Sequence, residues 1–286
     1  LDLYEPIASY WPEFAANGKD RIATRHVLSH TAGLAGWDEP LDETDFFDHD
    51  KLVRLLAAQA PWWEPGTRSG YHADTQGYLL GEIVKRVDGR TLGTFFAEEV
   101  AGPLDADFHI GTPAECDPRI ARLIGSGPID AGDDPTSIPY RTFNNPPYLP
   151  ELSWLKDWRR AEIPGGGGHG NARSVALCHA PTACGGTANG VTLLSEDGVA
   201  RIFDAQYEGP DLNLLVPLTF GMGFALYPGS GPYTRECGWG GWGGSLAIVN
   251  VDAQMSFAYV MNRMMTSDSD MRRRHLLSAA YEALMA

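Results

Sequence analysis

Tyr71, in the segment PGTRSGYHADTQGYLLGEIVKRVDG at residues 65–89, is the side chain of this sequence best suited to proton transfer. Pro65 and Gly66 predict a turn, and Gly70 lets the backbone bring the next side chain close to another part of the chain. A phenol on such a loop serves as a general base or proton relay where positive charge lowers its pKa from the usual value of about 10. The alternative is a packing tyrosine with a hydrogen-bonded hydroxyl, which is the commoner arrangement at such a turn.

A second segment that could take part in catalysis is GWGGWGGS at residues 238–245, which begins just before a predicted strand. Glycines without a Cβ let backbone N–H groups approach a ligand closely, as the oxyanion hole of an acyl-transfer enzyme requires. The alternative is a bulged or bent strand edge whose glycines only let another backbone pack nearby.

These two segments and ATRHVLSHTAGL at residues 23–34, in this order and at these separations, resemble the serine β-lactamase-like superfamily. That superfamily includes class C β-lactamases, DD-peptidases and family VIII carboxylesterases. The resemblance covers the whole chain and is closest to the esterase-like members, in which a Tyr-x-Asn-type motif follows a PGT turn. It implies a serine hydrolase that forms an acyl-enzyme on small esters without a cofactor, with Tyr71 as general base or relay.

The resemblance also assigns the glycine segment. Trp239, Gly240 and Gly241 take the place of the Lys-Thr-Gly of the lactamases and are expected to bind substrate. The amide of Trp242 is then one donor to the tetrahedral oxyanion, and the nucleophilic serine supplies the other.

His72 and Ala73 complete the tyrosine motif and are also expected at the substrate. Ala73 stands where the family has an asparagine amide, and Trp239 stands where it has a cation. Both replacements leave the carboxylate of a β-lactam without its partners, so the sequence favours neutral esters.

The Ser-x-x-Lys helix that carries the nucleophile and its lysine in the resembled family precedes a segment like residues 1–14 and is not found in this sequence. We therefore expect that the chain lacks an N-terminal portion of the fold and forms no acyl-enzyme alone. Ser153 and Lys156 match the motif by letter, but they follow Tyr71 and lie in a Pro-rich segment.

Other classes are less well supported. A non-catalytic binding protein of the same fold and a β-lactamase or DD-peptidase-type amidase stay open, whereas the absence of G-x-S-x-G disfavours an α/β-hydrolase. His26 and His30 have a helical ligand spacing without the H-E-x-x-H pattern, so no metal is expected and His30 is interpreted as a structural hydrogen-bonding residue near the site. The glycines at 165–168 are not followed by Lys-Ser/Thr and are not a P-loop.

The composition is that of a globular protein, and the resemblance implies a small-molecule ester or amide substrate. The 286 residues are 43% hydrophobic, and the net charge of −15 argues against nucleic acid or an anionic membrane as partner. There is no apolar run of roughly 18 residues and no signal-peptide pattern, which slightly favours the cytoplasm. The four cysteines have neither zinc nor disulfide spacing, and the oligomeric state is not predicted.

The patterns predict an α/β (α+β) fold with an antiparallel sheet flanked by helices and an all-α subdomain. Residues 1–22 and 190–286 are assigned to the sheet subdomain, and residues 23–189 to the helical one. Within the latter, the Pro/Gly-rich residues 102–168 form a long excursion that borders the cleft.

Individual faces are predicted from periodicity. Leu79, Ile83 and Val87 point inward on the helix that ends at Gly89, and Glu82 points outward. Pro181 ends or kinks the helix after Asn171. Three further expectations concern the last third of the chain: a strand with Phe220, Met222, Phe224 and Leu226 on one face, a hairpin around residues 252–254, and a terminal helix at 271–285 with Leu276, Leu277, Ala280 and Leu284 inward.

Overall fold

The computed structural model describes residues 1–265 and 270–286, and helices and strands segregate along them. The α-helices are α1 (Thr24–Leu28), α2 (His49–Ala58), α3 (Thr75–Asp88), α4 (Leu92–Phe96), α5 (Ile138–Phe143), α6 (Lys156–Arg160), α7 (Ala172–Ala183), α8 (Glu196–Ile202) and α9 (Arg272–Met285). A π-helical turn at Ala97–Ala101 continues α4. Short 3₁₀ turns occupy much of the remaining chain before α7.

The strands form one six-stranded antiparallel sheet and two short pairs. The sheet contains β5 (Tyr207–Pro210), β6 (Pro217–Phe220), β7 (Ala225–Tyr227), β8 (Glu236–Gly240), β9 (Leu246–Asn250) and β10 (Met255–Tyr259), in the spatial order β10-β9-β8-β7-β6-β5. The short pairs are β1 (Phe108–His109) with β2 (His169–Gly170), and β3 (Thr187–Ala188) with β4 (Val191–Thr192). The hairpin predicted around residues 252–254 is present between β9 and β10.

The larger hydrophobic core lies among the helices. Leu52 and Leu56 of α2 and Leu79 and Ile83 of α3 are fully or almost fully buried there. The N-terminal segment packs into this same core through Ile7, Trp11, Phe14 and Ile22. Residues 1–22 therefore pack with the helices, which differs from their predicted assignment to the sheet subdomain.

The sheet has its own smaller core, in which Ala183 of α7 packs with Ile202, Cys237 and Val249. The Ser256 hydroxyl donates to the carbonyl oxygen of Ala176 at 2.7 Å, which ties α7 to β10. Helix α7 thus covers the sheet, although its residues fall within the range predicted to be helical subdomain.

Two side chains of α3 depart from the predicted faces. Val87 is exposed, and Glu82 is buried because it pairs with Arg86 at 2.6 Å and lies 3.5 Å from His49. Periodicity alone cannot anticipate a buried acid that has a cation on the next helical turn. Gly89 ends the helix in the left-handed conformation, as predicted.

The single strand predicted around Phe220 is wrong. Phe220 pairs with Ala225 across a tight turn, so residues 217–227 form two antiparallel strands, β6 and β7. Gly223 in the turn has a φ of +84°, which glycine adopts without strain. Apolar residues continue to alternate through the turn, so the sequence pattern does not reveal where the first strand ends.

Two helices near the sheet differ in detail from the predictions. Pro181 lies within the last turn of α7, which ends two residues later at Ala183. On α9 the buried residue is Tyr281, whose hydroxyl bonds Asn250 and Glu236, while Leu276 and Leu284 are exposed. No helix in the described part of the chain is long and apolar enough to cross a bilayer.

Candidate active site

A cleft of about 2150 Å³ lies where the loop before α3, the 102–168 excursion and the strands β8 and β9 meet. Its walls include six of the seven residues predicted for the site: Tyr71, Ala73, Trp239, Gly240, Gly241 and Trp242. Residues of the excursion, among them Phe143, Tyr148, Trp154 and Trp158, border it as expected. The fold thus unites segments that are about 170 positions apart in the sequence.

Tyr71 and Trp239 are in direct contact in this cleft. The indole Nε1 of Trp239 donates to the Tyr71 hydroxyl at 3.1 Å, and the two ring centroids are 4.8 Å apart. Burial raises the pKa of Tyr71 to about 12, and the charges of Asp74 and Asp211 add to the rise, although the Trp239 bond opposes it. The phenol is therefore neutral near pH 7 and keeps its own proton available for donation.

Asp211 holds the Tyr71 loop in place and was not anticipated from the sequence. Its buried carboxylate accepts from the Tyr71 amide at 3.1 Å and the Ser69 hydroxyl at 2.7 Å. It also accepts from the amides of Asn213 and Leu214 at 2.9 and 2.8 Å. A turn aspartate after a strand is an ordinary pattern, so nothing local reveals a partner 140 positions away.

The Asn213 side chain adds a second tie, because its amide Nδ2 donates to the Tyr71 carbonyl oxygen at 2.6 Å. The backbone of Tyr71 is thus bonded at both its N–H and its C=O. This fixes where the phenol points, as a proton-transfer group requires.

His72 lies outside the cleft wall, so its predicted contact with substrate has no geometric support. Its ring is fully buried, with Nδ1 2.6 Å from the Gly70 carbonyl oxygen and Nε2 accepting from the Leu34 amide at 3.1 Å. Burial lowers the pKa of His72 to about 4. The side chain is a neutral link between two loops.

His30 has the structural role expected of it. Its Nδ1 accepts from the His72 amide at 3.0 Å, and its ring centroid is 4.9 Å from that of Tyr71. His26 points elsewhere and accepts from the Ala23 amide at 3.0 Å. Among the described residues no three His, Cys, Asp or Glu side chains converge as metal ligands.

The glycines at 165–168 let neighbouring residues of the cleft wall pack closely against the backbone. A Cβ on Gly166 would lie 1.7 Å from the Tyr148 hydroxyl, and one on Gly165 would lie 2.6 Å from the Ala73 carbonyl oxygen and 3.3 Å from Asp74 Oδ1. Any side chain at these two positions therefore displaces part of the wall.

If the cleft hydrolyses small esters, as the motifs predict, we expect Gly166→Ala to lower turnover at least about tenfold, since the added methyl group forces Tyr148 out of the wall. Gly81→Ala is a matched control, because a Cβ at Gly81 meets its nearest atom at 3.4 Å and alanine favours the helix. The measurement is kcat for p-nitrophenyl butyrate in a form of the protein that hydrolyses it. Equal kcat for the two variants would show that the position of Tyr148 is immaterial.

Asp74 is a further cleft residue that the motif analysis did not single out. It precedes α3, is only 8% exposed and forms no side-chain cap with the helix. Burial raises its pKa to about 7. This carboxyl group, whose pKa is close to neutral pH, lies in the same wall of the cleft as Tyr71 and Ala73.

The amide of Trp242, predicted to be an oxyanion donor, belongs to a residue that lines the cleft. Trp242 lies in the turn between β8 and β9, and its N–H donates no hydrogen bond to any residue within 1–265 or 270–286. Gly241 N–H donates to Ser245 and Gly244 N–H to Gly241, whereas Gly243 N–H, like that of Trp242, has no acceptor among the described residues. The turn therefore presents backbone donors at Trp242 and Gly243.

Within the described residues, the cleft contains no lysine. Ser153 does line it, but its hydroxyl donates to the Pro150 carbonyl oxygen at 2.7 Å. Ser29 is buried, and its hydroxyl bonds the Arg25 carbonyl oxygen. Neither hydroxyl forms a hydrogen bond with a lysine of the described residues.

The fold is that of the β-lactamases and transpeptidases, and the chain belongs to the Beta-lactamase family, whose model matches residues 1–281. The resemblance drawn from the motifs, and with it the predicted mixed α/β fold, is confirmed.

The chain is similar to an esterase/β-lactamase, a carboxylesterase and a homologue of penicillin-binding proteins. Esterase/beta-lactamase LipL of Mycobacterium tuberculosis is 33% identical over 279 residues, which are 93% of this chain and 64% of LipL. The crystal structure of a family VIII carboxylesterase is 37% identical with a TM-score of 0.91, covering 99% of this chain and 76% of that one. A penicillin-binding protein homologue from Caulobacter crescentus is 36% identical with a TM-score of 0.88 and the same coverage. The chain therefore spans a little under two thirds of the length of LipL.

Proposed function

We propose that this chain provides the cleft of a carboxylesterase that hydrolyses small esters without a carboxylate group through an acyl-enzyme. The observation that carries the proposal is the contact between Tyr71 and Trp239 beside a free Trp242 amide. A relay hydroxyl and an oxyanion donor in one cleft are two of the three parts that nucleophilic acyl transfer needs.

The third part, an activated serine, is proposed to come from outside these 286 residues, together with its lysine. The absence of a lysine from the described cleft wall and the engaged hydroxyls of Ser29 and Ser153 support this. In the proposed reaction the serine oxygen attacks the ester carbonyl, its proton leaves through the lysine and Tyr71, and the alcohol departs with a proton. Water then repeats these transfers to release the acid.

The Tyr71 hydroxyl acts best as a relay in this scheme. It accepts from Trp239 and can pass its own proton to the leaving alcohol while taking another. Direct action as a base needs a nearby cation, because burial places its pKa at about 12. A lysine beside it supplies such a cation.

An amidase or β-lactamase activity is the second candidate, and one observation favours it. Arg273 lies beside the glycine strand: a Cβ on Gly240 would be 3.0 Å from its Nη1, which donates to the Ser245 carbonyl oxygen at 3.2 Å. A guanidinium there can pair with a substrate carboxylate. Against it stand the replacement of the family cation by Trp239 and of its amide by Ala73.

Substrate preference tests the two candidates directly. In a form of the protein with measurable turnover, we expect kcat/KM for p-nitrophenyl butyrate to exceed that for nitrocefin by about a hundredfold or more, since a buried carboxylate without full pairing is costly. Nitrocefin turnover that rivals the ester would overturn the esterase proposal. If Arg273→Gln then abolished that turnover, the second candidate would stand.

A further inference from the structure

Asp74 is a buried acid without a partner. Its carboxyl oxygens form no hydrogen bond or ion pair with any residue that the structure describes, although the side chain lines the cleft. A buried ionised carboxylate is normally paired, because removal from water is unfavourable. The position therefore suits a ligand group that the protein does not itself supply.

The surroundings of Asp74 contain phenols rather than cations. Its negative charge contributes to the raised pKa values of Tyr71, Tyr78 and Tyr148. The arginines in the cleft wall have other contacts: Arg119 with Asp107, Arg159 with Asp117, Arg272 with Asp270, Arg122 over the Trp154 ring, and Arg273 with the Ser245 carbonyl.

Aromatic rings complete the same part of the cleft. Tyr71 and Trp239 have centroids 4.8 Å apart, and Tyr148 and Trp242 have centroids 5.7 Å apart. Gly165 and Gly166 bring the Asp74 carboxyl and the Tyr148 hydroxyl against adjacent points of the backbone. Aromatic faces and a carboxylate together bind organic cations, because the ring quadrupole and the formal charge both attract them.

We propose that Asp74 and these aromatic rings form a subsite for a positively charged ammonium group of the substrate. The inference rests on the proposed function in that it names the substrate class of the same cleft: esters whose alcohol or acyl part carries an amine or quaternary ammonium. The net charge of −15 favours the approach of such cations to the protein.

The test uses choline and its neutral carbon isostere 3,3-dimethyl-1-butanol, which differ in charge and hardly in shape. Binding of each to the 286-residue chain is measured by calorimetry, so no turnover is needed. We expect choline to bind at least about tenfold more tightly than the isostere. At a pH above the Asp74 pKa of about 7, Asp74→Asn is expected to reduce that ratio to about two or less, since it removes the charge and keeps the shape.

Asp107→Asn is the matched control, because Asp107 also lines the cleft but is already paired with Arg119. It is expected to keep the choline preference. Equal affinity for choline and the isostere in the wild-type chain, or a preference that survives Asp74→Asn, overturns the proposal.

A parallel comparison of butyrylcholine with 3,3-dimethylbutyl butyrate in an active form separates this inference from the proposed function. Choline binding without hydrolysis of either ester would contradict the esterase proposal and support the ammonium subsite. Hydrolysis of both esters at equal kcat/KM, with no choline preference, would support the esterase proposal and contradict the ammonium subsite.

Discussion

Tyr71→Phe is expected to lower kcat for p-nitrophenyl butyrate by about two to four orders of magnitude, the range for loss of a positioned acid–base group. The variant keeps the ring and its contacts with Trp239 and His30 but removes the hydroxyl that accepts from Trp239 Nε1. Because the hydroxyl is expected to act in the chemical step, KM should change much less than kcat.

Tyr207→Phe is a suitable control for this measurement. The Tyr207 hydroxyl donates to the Pro210 carbonyl oxygen at 2.8 Å within β5, outside the residues that line the cleft. Its removal should leave kcat within about twofold. If Tyr71→Phe were as active as Tyr207→Phe, Tyr71 would have no part in the mechanism.

Asp211→Ala is expected to reduce the free energy of unfolding by about 3 kcal/mol or more and to abolish most of the esterase turnover. The substitution leaves the amides of Tyr71, Asn213 and Leu214 and the Ser69 hydroxyl without their shared acceptor, and each buried unpaired donor costs about 1–3 kcal/mol. Urea denaturation measures the change.

Two further variants make the Asp211 result interpretable. Asp211→Asn keeps an acceptor oxygen, so it should lose less stability, and its turnover reports the position of Tyr71 in a folded protein. Asp20→Ala, at an exposed acid, should alter stability by no more than about 0.5 kcal/mol. An Asp211→Ala variant as stable as Asp20→Ala would show that this network does not hold the loop.

The sequence was most informative where a motif requires a particular backbone. Tyr71 after Gly70, and the glycines around Trp239, were predicted to face one cleft because both segments matched one family in order and spacing, and the two side chains do touch. Helix α3 and the hairpin between β9 and β10 were predicted for similar reasons, since their periodicity and turn residues agree.

The rest depended on contacts between distant positions. No local feature of Asp211 or Asp74 distinguishes a buried acid from an ordinary turn or cap residue. His72 follows Tyr71 directly, yet its side chain points away from the cleft into the protein. There its ring forms hydrogen bonds with the backbone of Leu34 and Gly70. Leu276 was predicted to be buried and is exposed, because periodicity on α9 does not tell which neighbours cover the helix.

We propose that a serine acyl-enzyme forms in this cleft with a nucleophile from outside the 286 residues. Intact-mass spectrometry after incubation with a fluorophosphonate, followed by peptide mapping, detects such a nucleophile and locates it. We expect no adduct on this chain alone, and one adduct per molecule in an esterase-active form, on the serine of a Ser-x-x-Lys motif beyond these residues. A stoichiometric adduct on Ser153, Ser29 or another serine of this chain would contradict it.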